Sequence, residues 1–192
     1  MTTAAAPEPR AATPSRSWLL VPILVGAWIT LIVATAAHVD RLTEGDAKPK
    51  YFDLFFSDPI HMKSWLATAV AAFALFQVFS AAWIFRKLPW PRPRWLGNAH
   101  RWSGRLAFLL SLPVAYHCLF LLGFQETTSR ALAHSLLGSF FYGAIVTKVL
   151  VVRVHRFPPL VLPIMGGLVF AILIALWLTS SLWFFRTVDA GI

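Results

Sequence analysis

Six histidines, His38, His61, His100, His117, His134 and His155, are the residues of this 192-residue chain with the most chemistry to offer. An imidazole within an apolar stretch is expensive to solvate poorly, so it faces a bundle interior and serves a site. Two of the six share a pattern: AHRWSG at 99–104 and AHSLLG at 133–138 each open an apolar run with Ala-His-x-x-x-Gly. The step from His to Gly is i to i+4, which puts the ring and the bare glycine on one helix face. In the first run that face continues through Ala107 and Ser111. An imidazole above a groove of small residues suits a flat macrocycle, and histidine is a common axial ligand of haem iron. The expected cofactor is therefore haem b, one or two per chain. His61, His100, His117 and His134 are its candidate binding residues, and His100, His117 and His134 its candidate axial iron ligands.

Little else competes for a role. The sequence has no GxGxxG, P-loop or HExxH motif, no Ser-His-Asp arrangement and no paired carboxylates within its apolar runs. Cys118 is the single cysteine, which excludes an intrachain disulfide and a cysteine-based metal site. No catalytic acid or base is expected, and an enzymatic role would be that of an electron-transfer oxidoreductase component.

These side chains must be positioned by membrane helices. The chain is 58% hydrophobic and 13% charged, against about 25% charged residues in an ordinary soluble domain. Crossing a hydrocarbon core of ~30 Å takes about 20 apolar residues in a helix. Five stretches qualify, at about 18–37, 61–85, 99–124, 131–152 and 160–185. The fold class is all-α: a polytopic bundle with a four-helix core plus an amino-terminal helix, in one domain over 18–192. Pro113 and Pro163 fall inside spans, where neighbouring helices can satisfy the freed carbonyls. Residues 1–17, rich in Ala, Pro, Ser and Thr, read as a disordered cytoplasmic tail. The first span ends in Ala34-Thr35-Ala36, which resembles a signal-peptidase site, but its length favours an uncleaved helix.

The formal charge of +9 belongs to the membrane rather than to a nucleic acid, because its cations gather in particular connections. Arg10 and Arg16 lie in the tail; Arg86, Lys87, Arg92, Arg94, Arg101 and Arg105 surround the second connection; Lys148, Arg153 and Arg156 surround the fourth. The first connection mixes Asp40, Glu44, Asp46, Asp53 and Asp58 with Arg41, Lys48 and Lys50, and the third has Glu126 and Arg130. Positive loops stay inside, which sets the amino terminus in the cytoplasm and the carboxyl terminus outside a cell membrane. Trp18, Trp65, Trp95, Trp102 and Trp183 fall near span ends, as interfacial anchors do.

Topology then constrains the ligand pairs. Packed neighbouring helices lie ~8–10 Å apart, so two histidines spanning a porphyrin come more comfortably from diagonal helices. His61 on span two and His134 on span four meet this condition at the outer face, and His100 can pair with His155 at the inner one. His117 competes with His61 for the outer site. It follows His100 by seventeen residues, about 100° away from a common helix face, so span three does not present a simple ladder of stacked rings.

On IHMKSW in span two, AHRWSGR and the later YHC in span three, and AHSLLG in span four, the chain resembles the cytochrome b561 family and its ferric-reductase-like relatives over about residues 60–185. The resemblance implies four core helices with a haem near each membrane face, ligands from alternate helices, and transmembrane electron transfer. A quinone in the bilayer or a redox protein would then be donor or acceptor. Arg101 and Arg105, beside His100, could meet haem propionates or anionic lipid headgroups. The alternative is a cofactor-free membrane scaffold or accessory subunit whose histidines hydrogen-bond between helices. His38, at a helix end, is read as interfacial. A small transporter is disfavoured, since paired broken half-helices are not evident.

Overall fold

A computed structural model of the chain describes residues 19–42, 51–154 and 157–188. The tail expected at 1–17 and the candidate ligand His155 lie outside the described residues. The elements are α1 (Val21–Leu42), α2 (Pro59–Ile84), α3 (Leu96–Tyr116), α4 (Ser129–Arg153), α5 (Val161–Trp177) and α6 (Trp183–Thr187). A π-helical segment, His117–Leu122, prolongs α3, and another, Leu178–Leu182, joins α5 to α6. Five helices are long and apolar enough to cross a membrane, at Val21–Val39, Pro59–Ile84, Leu96–Leu122, Ser129–Arg153 and Val161–Thr187. They coincide with the five expected spans to within a few residues.

Local chemistry sets the boundaries. The Asp58 carboxylate caps α2, accepting from the N–H groups of Ile60 at 2.8 Å and His61 at 2.9 Å, with Pro59 in the first turn. Thr128 caps α4 through the N–H of Ala131 at 3.1 Å. Gly123, at φ 64°, ends the α3 segment in a left-handed conformation that glycine adopts without steric cost. Pro113 lies one turn before the π segment of α3.

The close helix pairs are α2 with α3, α4 with α5, α2 with α5, and α1 with α4. Their apolar core is Val70, Ala71 and Ala74 from α2, Phe141 and Ala144 from α4, and Ile172 and Leu173 from α5. Outward-facing residues are also apolar, with Trp28 65% and Ile164 64% exposed, the pattern of a bundle solvated by lipid. Glycines seat α1 on α4. A Cβ on Gly26 would collide with Thr147 Oγ1 and come within 2.8 Å of the Gly143 carbonyl, and one on Gly143 would collide with Thr30 Oγ1 and the Gly26 carbonyl. Gly26-x-x-x-Thr30 thus crosses Gly143-x-x-x-Thr147, a small-residue crossing that lets backbones approach. The Thr147 hydroxyl donates to the carbonyls of Pro22 at 3.2 Å and Gly143 at 2.9 Å. Consecutive α3 and α4, by contrast, do not pack closely along their length, and a cavity lies among α2, α3, α4 and α5.

Candidate functional site

His134, in the second turn of α4, faces the π segment that follows α5. There the Thr179 hydroxyl donates to the carbonyls of Ala175 at 2.8 Å and Leu176 at 3.1 Å. His134 Nδ1 lies 3.0 Å from that hydroxyl oxygen. The ring also hydrogen-bonds to the Leu176 backbone, and a proton on Nδ1 would leave the lone pair on Nε2. One turn earlier, Arg130 Nη1 donates to the Thr179 carbonyl at 2.6 Å, and its guanidinium lies 3.9 Å above the Trp183 ring. Two side chains of α4 therefore fix the same residue, and Thr179 in turn orients the imidazole. π segments recur at functional positions because they re-aim side chains that a regular helix would point elsewhere.

His134 lines the cavity enclosed by α2, α3, α4 and α5, which measures about 100 Å³. Cys118, Ser111, Tyr142, Trp177 and Ser180 share its wall, and the remaining lining is aliphatic or aromatic. Tyr142 and Ser111 bridge the two helices: their hydroxyls are 3.2 Å apart, and the phenol donates to the Ser111 carbonyl at 3.3 Å. Trp177 Nε1 donates across to Thr68 Oγ1 at 2.9 Å. Lys63, in the first turns of α2, lies within electrostatic reach of both Cys118 and His134.

His61 and His117 lie at the same end of the bundle but do not line this cavity. His117 is fully buried, and both ring nitrogens are used. Nδ1–H donates to the Pro113 carbonyl at 2.9 Å, while Nε2 accepts from the N–H of Phe52 at 3.3 Å. The Phe52 ring meets it edge-on at 4.4 Å between centroids, so His117 pins the segment before α2 against the end of α3. His61 Nδ1 pairs with Asp58 at 2.5 Å, and its ring meets Phe184 edge-on at 5.1 Å. The Asp58 carboxyl is held below the ordinary carboxylate range, chiefly by the backbone N–H of His61.

His100 is at the opposite end, with Nδ1 2.7 Å from Ser80 Oγ. Gln77 ties that corner together by donating to the His100 carbonyl at 2.5 Å and to Ser103 Oγ at 2.7 Å. His38 stacks obliquely on Phe124 at 5.2 Å. Among the described residues no group of three or more His, Cys, Asp or Glu could hold a metal ion together.

A haem would find one candidate axial ligand among these residues, His134. His134 has the oriented imidazole, with a second hydrogen-bonded partner behind it, that such ligation uses. The cavity does not fit the macrocycle as it stands, because about 100 Å³ falls short of the ~300 Å³ at which sites for small molecules begin. Neither His61 nor His117 faces His134 across the cavity.

Residues 19–191 match the profile of a family of unknown function, DUF6529. The chain belongs to that family. No curated protein and no solved structure matches it. In this DUF6529 bundle His134 is one of the four histidines that the sequence put forward, but its supports were missed. Thr179-Ser180-Ser181, three hydroxyls inside an otherwise apolar final span, was the available signal. Arg130, one turn before His134, was a second. Nothing local in the sequence announced the partnership of Tyr142 with Ser111.

Proposed function

We propose that this protein is a b-type haem protein of the cell membrane that passes electrons across or along the bilayer, with His134 as axial ligand. The observation that carries the reading is the imidazole of His134, with Nδ1 3.0 Å from the Thr179 hydroxyl oxygen and the residue on the wall of a cavity enclosed by α2, α3, α4 and α5. When bound, haem supplies a one-electron couple whose potential depends on ligation, burial and nearby charge. The chain's own part is to orient the ligand through Thr179 and Arg130, to surround it with apolar walls, and to place Lys63 nearby as a cation for a propionate. Accommodating the ring would require the helices around the cavity to part, α3 and α4 where Tyr142 and Ser111 join them. The amino terminus faces the cytoplasm in this reading, and a quinone or redox protein exchanges electrons with the His134 end.

One set of observations favours the second reading, a cofactor-free scaffold or accessory subunit. His117 uses both nitrogens in packing, His100 and His61 bond to neighbours, and the cavity is small. Reduced-minus-oxidised visible spectra of protein purified from haem-replete cells separate the two. A haem b difference spectrum in the wild type, lost in His134→Ala and retained in His117→Phe, is the expected result. Colourless wild-type protein, or an unchanged spectrum in His134→Ala, removes the haem assignment.

A further inference from the structure

On the outside of the bundle, α2 and α3 enclose an open groove of about 720 Å³ at the His100 end. Its floor is made of small side chains, Ala69, Ala72 and Ala99, and its walls of Phe73, Phe76, Leu106 and Leu109. On α3 the lining runs from Ala99 to Leu109, which at 1.5 Å per residue is about 15 Å, half of a ~30 Å hydrocarbon core. The groove is thus one leaflet long. Ala72, Leu106 and Leu109 are exposed, so an occupant would come from the surrounding bilayer.

Charge at one end of this groove narrows the occupant. Arg105 belongs to the lining, yet it starts from a position deep along α3. Helical side chains lean toward the amino terminus of their helix, and the Arg105 guanidinium lies back over the Trp102 ring, 4.8 Å from its centroid. Both side chains are exposed and are part of the groove lining. From residue 59 to residue 125 the sequence contains no Asp or Glu, although Lys63, Arg86, Lys87, Arg92, Arg94, Arg101 and Arg105 all fall there. A counter-ion for Arg105 must therefore come from a different part of the chain or from outside it, and the medium beside an apolar leaflet-length groove carries its anions on lipid phosphates.

We propose that the α2–α3 groove is a binding site for an anionic glycerophospholipid, one acyl chain lying along Ala69, Ala72 and Leu109 and the headgroup phosphate on Arg105. The exposed Trp102 ring holds the guanidinium extended toward the interface, so the cation and the acyl groove are presented together. This site is independent of the haem reading, since no group that orients His134 takes part in it.

Native mass spectrometry of the full-length protein, delipidated in detergent and titrated with phosphatidylglycerol or phosphatidylcholine of identical chains, tests the assignment. Wild-type protein should bind phosphatidylglycerol about five-fold more tightly than phosphatidylcholine, the preference one interfacial cation provides. Arg105→Gln should bring the two lipids to parity, and Ala72→Phe, which fills the groove, should weaken both. Circular dichroism matching the wild type establishes that each exposed-site variant is folded. Equal affinities in the wild type, an undiminished preference in Arg105→Gln, or unchanged binding in Ala72→Phe would each overturn the proposal. So would displacement of phosphatidylglycerol by an equal concentration of inorganic phosphate, which would indicate a site for the bare anion.

Discussion

At the scale of single residues, the contact of His134 Nδ1 with the Thr179 hydroxyl is what would orient this imidazole as a ligand. Thr179→Val keeps the shape of the side chain but removes the oxygen that meets Nδ1. Loss of such an outer partner typically weakens a metal site by about 10–100-fold. Haem titration into apoprotein should show a decline of that size for Thr179→Val and near wild-type affinity for Thr179→Ser; equal affinities in all three proteins would remove Thr179 from the site. His117 makes the opposite case. Replacing it with Phe leaves the Phe52 N–H without its acceptor, a loss of about 1–3 kcal/mol when the group is buried. The thermal midpoint should fall in His117→Phe while haem content per folded protein stays constant. The sequence made His117 a candidate because it lies deep in an apolar run. It could not reveal that the Pro113 carbonyl one turn back and a backbone N–H sixty-five residues away occupy both ring nitrogens. His134 looked equally plausible, and its difference lies wholly in what α5 brings opposite it.

At the scale of elements, the five spans were legible because the bilayer demands a long apolar run whatever the protein does, and a run of that length survives any local exception. The starts of α2 and α4 fall two residues before the expected 61 and 131, because Asp58 and Thr128 cap them there. The π segments after α3 and α5 were not legible, since they depend on how the helices meet. Nor was the α1–α4 crossing, although both Gly-x-x-x-Thr patterns stand in the sequence: nothing local says that Gly26 meets Gly143. Gly143→Leu should therefore displace α1, detected as faster proteolysis at its ends and a lower thermal midpoint, while a substitution such as Gly166→Leu, where a Cβ meets nothing within 4 Å, should be tolerated. Similar losses in both would mean that the crossing has no special role. The α2 cap has its own test. Asp58→Ala should destabilise the bundle and Asp58→Asn much less, because asparagine caps as well as aspartate. The carboxyl titrates below its ordinary range in the folded chain, so its contribution is complete above the unfolded-state value and fades only as pH falls through the lowered one. A thermal midpoint that drops between neutral and mildly acid pH through Asp58 itself would contradict this ordering.

At the scale of the whole molecule, the two ends of the bundle differ in charge and in architecture, and each difference bears on the other. The His134 end carries the cavity, both π segments and the acidic residues Asp53, Asp58 and Glu126 beside Lys63, Arg130 and Arg186. The His100 end gathers Arg86, Lys87, Arg92, Arg94, Arg101, Arg105, Lys148 and Arg153 without an acid among the described residues there. Its connection is folded onto α2, with Trp83 Nε1 donating to the carbonyls of Trp90 at 3.3 Å and Pro91 at 3.2 Å. Short loops rich in Lys and Arg resist translocation, so the His100 end should face the cytoplasm and the cavity should open toward the other side. Because Cys118 is the only cysteine, a Cys118→Ser background gives a clean reporter. In intact cells a membrane-impermeant maleimide should label Phe55→Cys, at a position 89% exposed, and spare Pro91→Cys until the membrane is permeabilised. The reverse pattern would turn the molecule over, placing the cavity on the cytoplasmic side. An electron carrier working at His134 would then have to meet its soluble partner inside the cell, although the helix packing that orients His134 would be unchanged.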